Sequence, residues 1–136
     1  MLRIHARQAL LPGGWERDVL IEAADGTVGA VTPGTAPEPG DERVDALLPG
    51  MPNLHSHAFQ RAMSGLTETP GPGSDSFWTW RDTMYRVAMA ISPTELEVIA
   101  TWLYIEMLEA GFTRVGEFHY LHHDRDGSPF ANPAEM

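Results

Sequence analysis

No cysteine occurs anywhere in the 136 residues. That excludes disulfide bonds, thiolate metal sites and a cysteine nucleophile, and it fits a reducing compartment. Nor is there an apolar run of roughly 18 residues or more, the length at which a helix can begin to span a bilayer. The N-terminus holds Arg3 and Arg7 but no apolar stretch leading to a small-residue cleavage site, so no secretory signal is expected and the cytoplasm is the expected location. Positive charge is scarce. Nine Lys and Arg stand against nineteen Asp and Glu, for a net charge of −10. This balance argues against a nucleic-acid groove and against an anionic membrane surface. An acidic small molecule is still admissible, because one local arginine can bind it inside a negative protein. Nucleotide-binding and serine-hydrolase motifs are missing too: no G-x-S-x-G elbow, Walker loop or G-x-G-x-x-G is found. Asp124-Arg125-Asp126-Gly127 starts like a calcium loop, but its spacing fails after Gly127.

What is present reads as an α/β chain in two textures. Residues 1–45 have the pattern of a small β-domain built from local hairpins. Leu2–Ala9 alternates, Asp18–Glu22 contains a Val-Leu-Ile run, and Val44–Leu48 resumes an apolar strand. Asp25-Gly26 is a strong two-residue hairpin turn between Val19–Ala23 and Thr27–Val31. Thr32–Asp41 and Thr69–Ser74 are rich in Pro and Gly and read as loops. From residue 46 to 136 the order is strand, helices, strand. Leu47–Leu54 leads as strand and turn into His55-Ser56-His57. Phe77, Trp80, Met84, Ala88 and Ile91 recur at three or four and predict a helix over Ser76–Ala90. A second helix opens with Ser92 as N-cap, Pro93 at its first position and Glu95 closing a capping box. Its stripe is Leu96, Ile99, Leu103 and Met107, and Gly111 ends it. Phe112–Phe118 then reads as a strand, giving a βαβ unit with a parallel pair.

His55-Ser56-His57 carries the chemistry. Residues two apart in a strand share a face, so both imidazoles can lean towards one ion about 2.0–2.1 Å from each nitrogen. The motif lies where an apolar strand gives way to a loop, the end at which α/β barrels gather their sites. Imidazole ligands suit zinc, iron and nickel alike. By itself, an H-x-H pair also arises by chance. A second cluster, Glu117-Phe118-His119-Tyr120-Leu121-His122-His123, follows the second strand. It reads either as a solvated loop or as a substrate wall in which Tyr120 offers a hydroxyl and one of His119, His122 and His123 a donor. Gln60 can hydrogen-bond a carboxylate or amide. Arg61, Arg81 and Arg86 are candidate carboxylate forks or solvated helix residues. The aromatics Phe77-Trp78-Thr79-Trp80 read as core packing, and His5 as a surface residue.

The string Leu48-Pro49-Gly50-Met51-Pro52-Asn53-Leu54-His55-Ser56-His57 resembles the first-strand metal motif of the amidohydrolase superfamily. His55–Ala62, Phe77–Arg81 and Gly116–His123 narrow the resemblance to the formimidoylglutamate deiminase family. The resemblance implies a small β-domain followed by the first strands and helices of a (β/α)8 barrel, incomplete in this chain. It implies hydrolysis of N-formimino-L-glutamate to N-formyl-L-glutamate and ammonia, a step of histidine degradation. It further implies one zinc with His55 and His57 among its ligands, substrate contacts from Gln60 and Tyr120, and a homodimer; Arg81, in its aromatic-rich stretch, is set beside them as a candidate substrate contact. The family takes its remaining histidines and an aspartate that handles the attacking water from later strands. No position of this chain matches them, so the chain alone is expected to be inactive. Two other readings compete. One is a sister aminohydrolase acting on a purine, pyrimidine or s-triazine ring; the other is a non-catalytic, truncated product.

Overall fold

The computed structural model describes residues 1–68 and 76–132; the expected loop Thr69–Ser74 lies outside the described residues. The described chain forms two compact units, Met1–Pro49 and Gly50–Met136.

The first unit is a four-stranded sheet in the order β3-β2-β1-β4. Strand β1 (Leu2–Leu11) turns at Pro12-Gly13 into β2 (Gly14–Ala24), and the two pair antiparallel from Leu11 against Gly14 to Leu2 against Ala23. The expected hairpin at Asp25-Gly26 leads into β3 (Thr27–Thr32). Asp25 and Gly26 take φ of 51° and 73°, the left-handed pair that a tight hairpin matched to strand twist requires. Strand β4 (Glu42–Leu47) adds to β1 in parallel, so the chain crosses over through the Pro/Gly-rich segment rather than closing another hairpin. Ala6, Ala9 and Val19 form the buried centre, with Leu11, Ile21 and Leu47 against it. His5 is not the surface residue expected from sequence. It is 6% exposed, and its Nε2 lies 2.7 Å from the Thr35 carbonyl. It shares a face of β1 with Arg3, opposite Ala6, and the crossover loop lies over that face and supplies the acceptor that a buried imidazole needs. Arg3 ties the same loop down, donating to Asp41, Glu38 and Glu22 at 2.7, 3.0 and 3.0 Å.

The second unit follows the expected βαβ order. Strand β5 (Met51–Ser56) pairs in parallel with β6 (Phe112–Glu117). A six-residue 3-10 helix, Ala58–Met63, follows β5 at once. Helix α1 (Phe77–Ala88) starts at Ser76, which exchanges bonds with Thr79 in a capping box. Helix α2 (Pro93–Glu109) starts as its sequence dictates. Ser92 accepts the Glu95 N–H at 3.3 Å, and the Glu95 carboxylate accepts the Ser92 N–H at 2.8 Å. Gly111 ends it with φ of 87°, where a side chain would be strained. The core gathers Phe59, Met63, Met84, Ala88, Leu96 and Leu121. Of the aromatic stretch read as core, only Trp80 packs there; Phe77 and Trp78 are 63% and 64% exposed. The helical turn places Trp80 with Met84 and swings its neighbours outward. Helix α2 is apolar on both sides: Leu96 is buried, while Val98, Trp102, Ile105 and Leu108 are exposed.

Candidate metal and substrate site

The site grows from the carboxyl ends of two adjacent parallel strands. Strands β5 and β6 approach closely there because Gly116 has no side chain. A Cβ at that position would sit 2.9 Å from the Leu54 carbonyl oxygen. Ser56 pairs with Glu117, and the Phe118 N–H donates to the Ser56 carbonyl at 2.8 Å. The residue after each strand therefore stands beside the other's.

His55 and His57 converge. Their Nε2 atoms are 2.9 Å apart, with the rings edge to face at 89°. The Asn53 side chain accepts the His55 N–H at 3.1 Å and stiffens the strand end. His57 Nδ1 lies 2.8 Å from the Phe118 carbonyl oxygen. That oxygen can only accept, so Nδ1 is the donor and Nε2, which faces His55 Nε2, is the nitrogen left to take an ion. An ion can take both imidazoles as ligands there, the outer nitrogen of His57 being already fixed by a carbonyl as metal-ligating histidines usually are. The donor set fits zinc or a similar divalent ion. Among the described residues no group of three or more His, Asp or Glu side chains is arranged to hold a metal. The pair thus offers part of a coordination shell.

Gln60 and Tyr120 come together beside this pair. Gln60 Nε2 donates to the Tyr120 hydroxyl at 3.1 Å, and that hydroxyl lies 3.3 Å from Met84 Sδ. The Tyr120 ring meets His57 edge-on at 4.9 Å and Phe59 at 5.2 Å. Burial pushes the Tyr120 hydroxyl pKa up, against the Gln60 bond that lowers it, so it remains a neutral donor and acceptor. An amide bonded to a phenol whose ring meets the His57 imidazole edge-on can hold a polar ligand beside the two histidines.

The other candidates lie apart from this group. Arg81 sits over the rings of Trp78 and Tyr85, 5.6 and 5.0 Å from their centroids, on the exposed side of α1. Arg86 donates to Thr83 on its own helix. Arg61 is not a free fork: Glu106 of α2 takes both its Nε and Nη2, at 2.7 and 2.8 Å. His119 turns to the Leu121 carbonyl at 3.0 Å and stacks edge-on against His122. His123 bridges to Pro129. Sequence reasoning passed over Glu117, whose carboxylate accepts the Ala58 N–H at 2.6 Å. Its place at the end of the second strand, inside a string already singled out, was the available signal.

Residues 1–45 match the family model described as the N-terminal domain of formimidoylglutamate deiminase HutF. The whole chain is 56% identical to the formimidoylglutamate deiminase of Pseudomonas aeruginosa, of which it spans 30%. In sequence, the chain is similar throughout to the N-terminal part of formimidoylglutamate deiminases. It also superposes over its full length on 30% of an amidohydrolase from Brucella melitensis, at 55% identity and a TM-score of 0.93. A zinc-bound adenosine deaminase from Xanthomonas campestris shares the fold over 88% of this chain, at 22% identity and a TM-score of 0.67. An 8-oxoguanine deaminase of P. aeruginosa is 31% identical over 55% of this chain. The mixed α/β architecture is similar to that of part of an amidohydrolase. Among the described residues, no helix is long and apolar enough to cross a membrane.

Proposed function

We propose that this chain supplies one part of the active site of a zinc-dependent formimidoylglutamate deiminase, the β5 and β6 ends of a (β/α)8 barrel. The observation that carries the reading is the convergence of His55 and His57 Nε2 at 2.9 Å, with the outer nitrogen of His57 locked on a carbonyl. The relative identical at 56% bears that activity by name, and the amidohydrolase neighbours include zinc-bound ones.

In this reading His55 and His57 hold the metal. When bound, zinc supplies Lewis acidity and brings a water's pKa towards neutrality. The chain's own residues supply position. Gln60 and Tyr120 grip the glutamate part of the substrate and keep the formimino carbon near the metal, so that attack is close to intramolecular. Met84 and Phe59 back the Tyr120 ring and keep water from its buried side. Arg81, held flat by two aromatic rings, can swing to pair a substrate carboxylate; the cation–π contacts it would give up are weak at an exposed site. Dimerisation belongs to the same proposal and rests on the family resemblance; light scattering tests it.

The experiment uses the whole gene product that carries this chain. Metal content and ammonia release from N-formimino-L-glutamate are measured for wild type, His55→Ala and His57→Ala. Loss of both metal and turnover in the variants is expected. Full zinc occupancy in either variant removes that histidine from the ligand set. Ammonia release from guanine but not from the formimino acid would overturn the substrate in favour of a ring aminohydrolase.

A further inference from the structure

The 3-10 helix that follows His57 begins without a cap of its own. His57 occupies the N-cap position with φ −132° and ψ 87°, and its side chain makes no capping bond. It has none to give: its ring is committed to the Phe118 carbonyl on one side and to His55 on the other. Ala58, the first residue of the helix, is 4% exposed. A helix start leaves its first N–H groups without partners inside the helix, and at this depth water does not reach them. A buried, unpaired N–H is rare because its desolvation is not compensated.

Glu117 fills the gap from the neighbouring strand. Its Oε1 accepts the Ala58 N–H at 2.6 Å, the short length expected of a charged acceptor. Its Oε2 is buried and has no hydrogen-bond partner among the described residues. A side chain present only to fill space would need no carboxylate. The next residue, Phe118, takes His57 Nδ1 on its carbonyl. Two consecutive residues at the end of β6 therefore grip His57, one through the backbone that follows it and one through its ring.

We infer that Glu117 is a positioning residue: by capping the Ala58 N–H from the adjacent strand, it fixes the backbone of His57 and with it the place of the Nε2 lone pair. The inference concerns the same site as the proposed metal reading and deepens it. Glu117 acts through His57 and touches neither ion nor substrate in this role. What matters is an acceptor oxygen at the right reach; the negative charge is secondary. Glutamine keeps the reach and an acceptor, and loses the charge. Aspartate keeps the charge and draws the oxygens back by one methylene.

The test compares Glu117→Gln and Glu117→Asp with wild type in the whole gene product. Two readouts are taken: amide hydrogen exchange of the metal-free protein over Ala58–Met63, and cobalt affinity by competition with a chromophoric chelator. Glu117→Asp should lose exchange protection in that segment and bind cobalt about 10–100-fold more weakly, the usual effect of removing a partner behind a metal ligand. Glu117→Gln should keep protection and most of the affinity. Exchange over Leu2–Leu11, in the other unit, should not move in either variant. The reverse order, with Asp like wild type and Gln impaired, overturns the inference, because charge and not the capping bond would then be acting. So does an unchanged exchange profile in both. Should wild type bind no cobalt at all, the metal reading falls, and the exchange comparison still decides whether Glu117 caps Ala58.

Discussion

Gly116→Ala separates steric from conformational effects by sign. Gly116 lies within β6 outside the left-handed region, so alanine can adopt its backbone angles. If only chain freedom mattered, the substitution would stabilise by about 0.4–1 kcal/mol through the unfolded state. The structure gives the opposite sign. The new Cβ would lie 2.9 Å from the Leu54 carbonyl oxygen and 3.2 Å from its carbon. Ordinary carbon–oxygen contacts are about 3.3–3.6 Å, so β5 and β6 would have to part by roughly 0.4–0.7 Å. Overpacking of that kind costs about 1–3 kcal/mol, leaving a net destabilisation of about 1.3 kcal/mol at the middle of the two ranges and of at most about 2.6 kcal/mol. Gly29 in β3 is the control. A Cβ there meets nothing nearer than the Glu22 carbonyl at 3.8 Å, an ordinary contact, so Gly29→Ala should be neutral or stabilising by up to about 1 kcal/mol.

The assay is urea unfolding of the whole gene product, reading the midpoint at unchanged m-value. Leu54 immediately precedes His55, so the strain has a local consequence as well. Parting the strands draws His57 away from the Phe118 carbonyl that holds its ring, and metal affinity should fall with stability. A Gly116→Ala midpoint at or above that of wild type would refute the steric account. Equal destabilisation by Gly29→Ala would refute it too, since the two sites would then share a cause other than the Leu54 contact.

Three further outcomes follow from the packing and electrostatics. Phe59→Ala removes a side chain that is 3% exposed and braces Tyr120; it should cost about 3–5 kcal/mol, read from the same urea curves, and a loss below 1 kcal/mol would place Phe59 outside the core. Tyr120→Phe removes the hydroxyl shared with Gln60 and Met84; kcat/KM for the formimino substrate should fall while zinc content stays whole, and an unchanged kcat/KM dismisses Tyr120 as a binding residue. The hydrogen bond from Arg3, helped by the Glu38 backbone, holds the Asp41 carboxyl below its ordinary value. A lowered folded pKa means stability present above the unfolded pKa and lost as pH falls through the folded one. Asp41→Asn should therefore flatten the acid limb of the stability profile at pH below about 4, and an identical acid limb in the variant would contradict the Arg3 bond.

Local chemistry made much of the fold legible. Asp25-Gly26, Ser92-Pro93 with Glu95, and Gly111 each act within a few residues, so the turn, the α2 start and the α2 end stand where their sequences place them. Non-local pairing was legible in the second unit, where the order strand, helices, strand implies the parallel β5–β6 pair, but not in the first. Strand β4 joins β1 in parallel across the Thr32–Asp41 segment, and no residue type announces that partner. Strand β2 starts at Gly14, ahead of the Asp18–Glu22 run that marks it in the sequence, and passes through Asp18. The structure accepts it at φ 51°, and its carbonyl takes the Thr35 N–H at 2.8 Å. His5 followed the same rule. Its burial depends on an acceptor thirty residues away, which no pattern within β1 reveals.

Gln60 and Arg61 define where reading from residue type gives out. Both are polar, both follow His57 closely, and both were plausible grips for a substrate. Their fates diverge because the segment is a 3-10 helix, in which successive residues point about 120° apart. That rotation aims Gln60 at Tyr120 and Met84, and Arg61 at Glu106. Glu106 is fixed in turn by the Trp102 indole at 2.9 Å, so the arginine fork is closed by α2 before any ligand arrives. The same hydrogen bonds raise the Arg61 pKa and lower that of Glu106. A guanidinium whose Nε and Nη2 fork already grips a braced carboxylate is a poor recruit for a second anion. One amide aimed at a half-buried phenol and a thioether, by contrast, has no charged partner to hold it. It is the pitch of six residues, and not their identity, that assigns one neighbour to the site and the other to the scaffold.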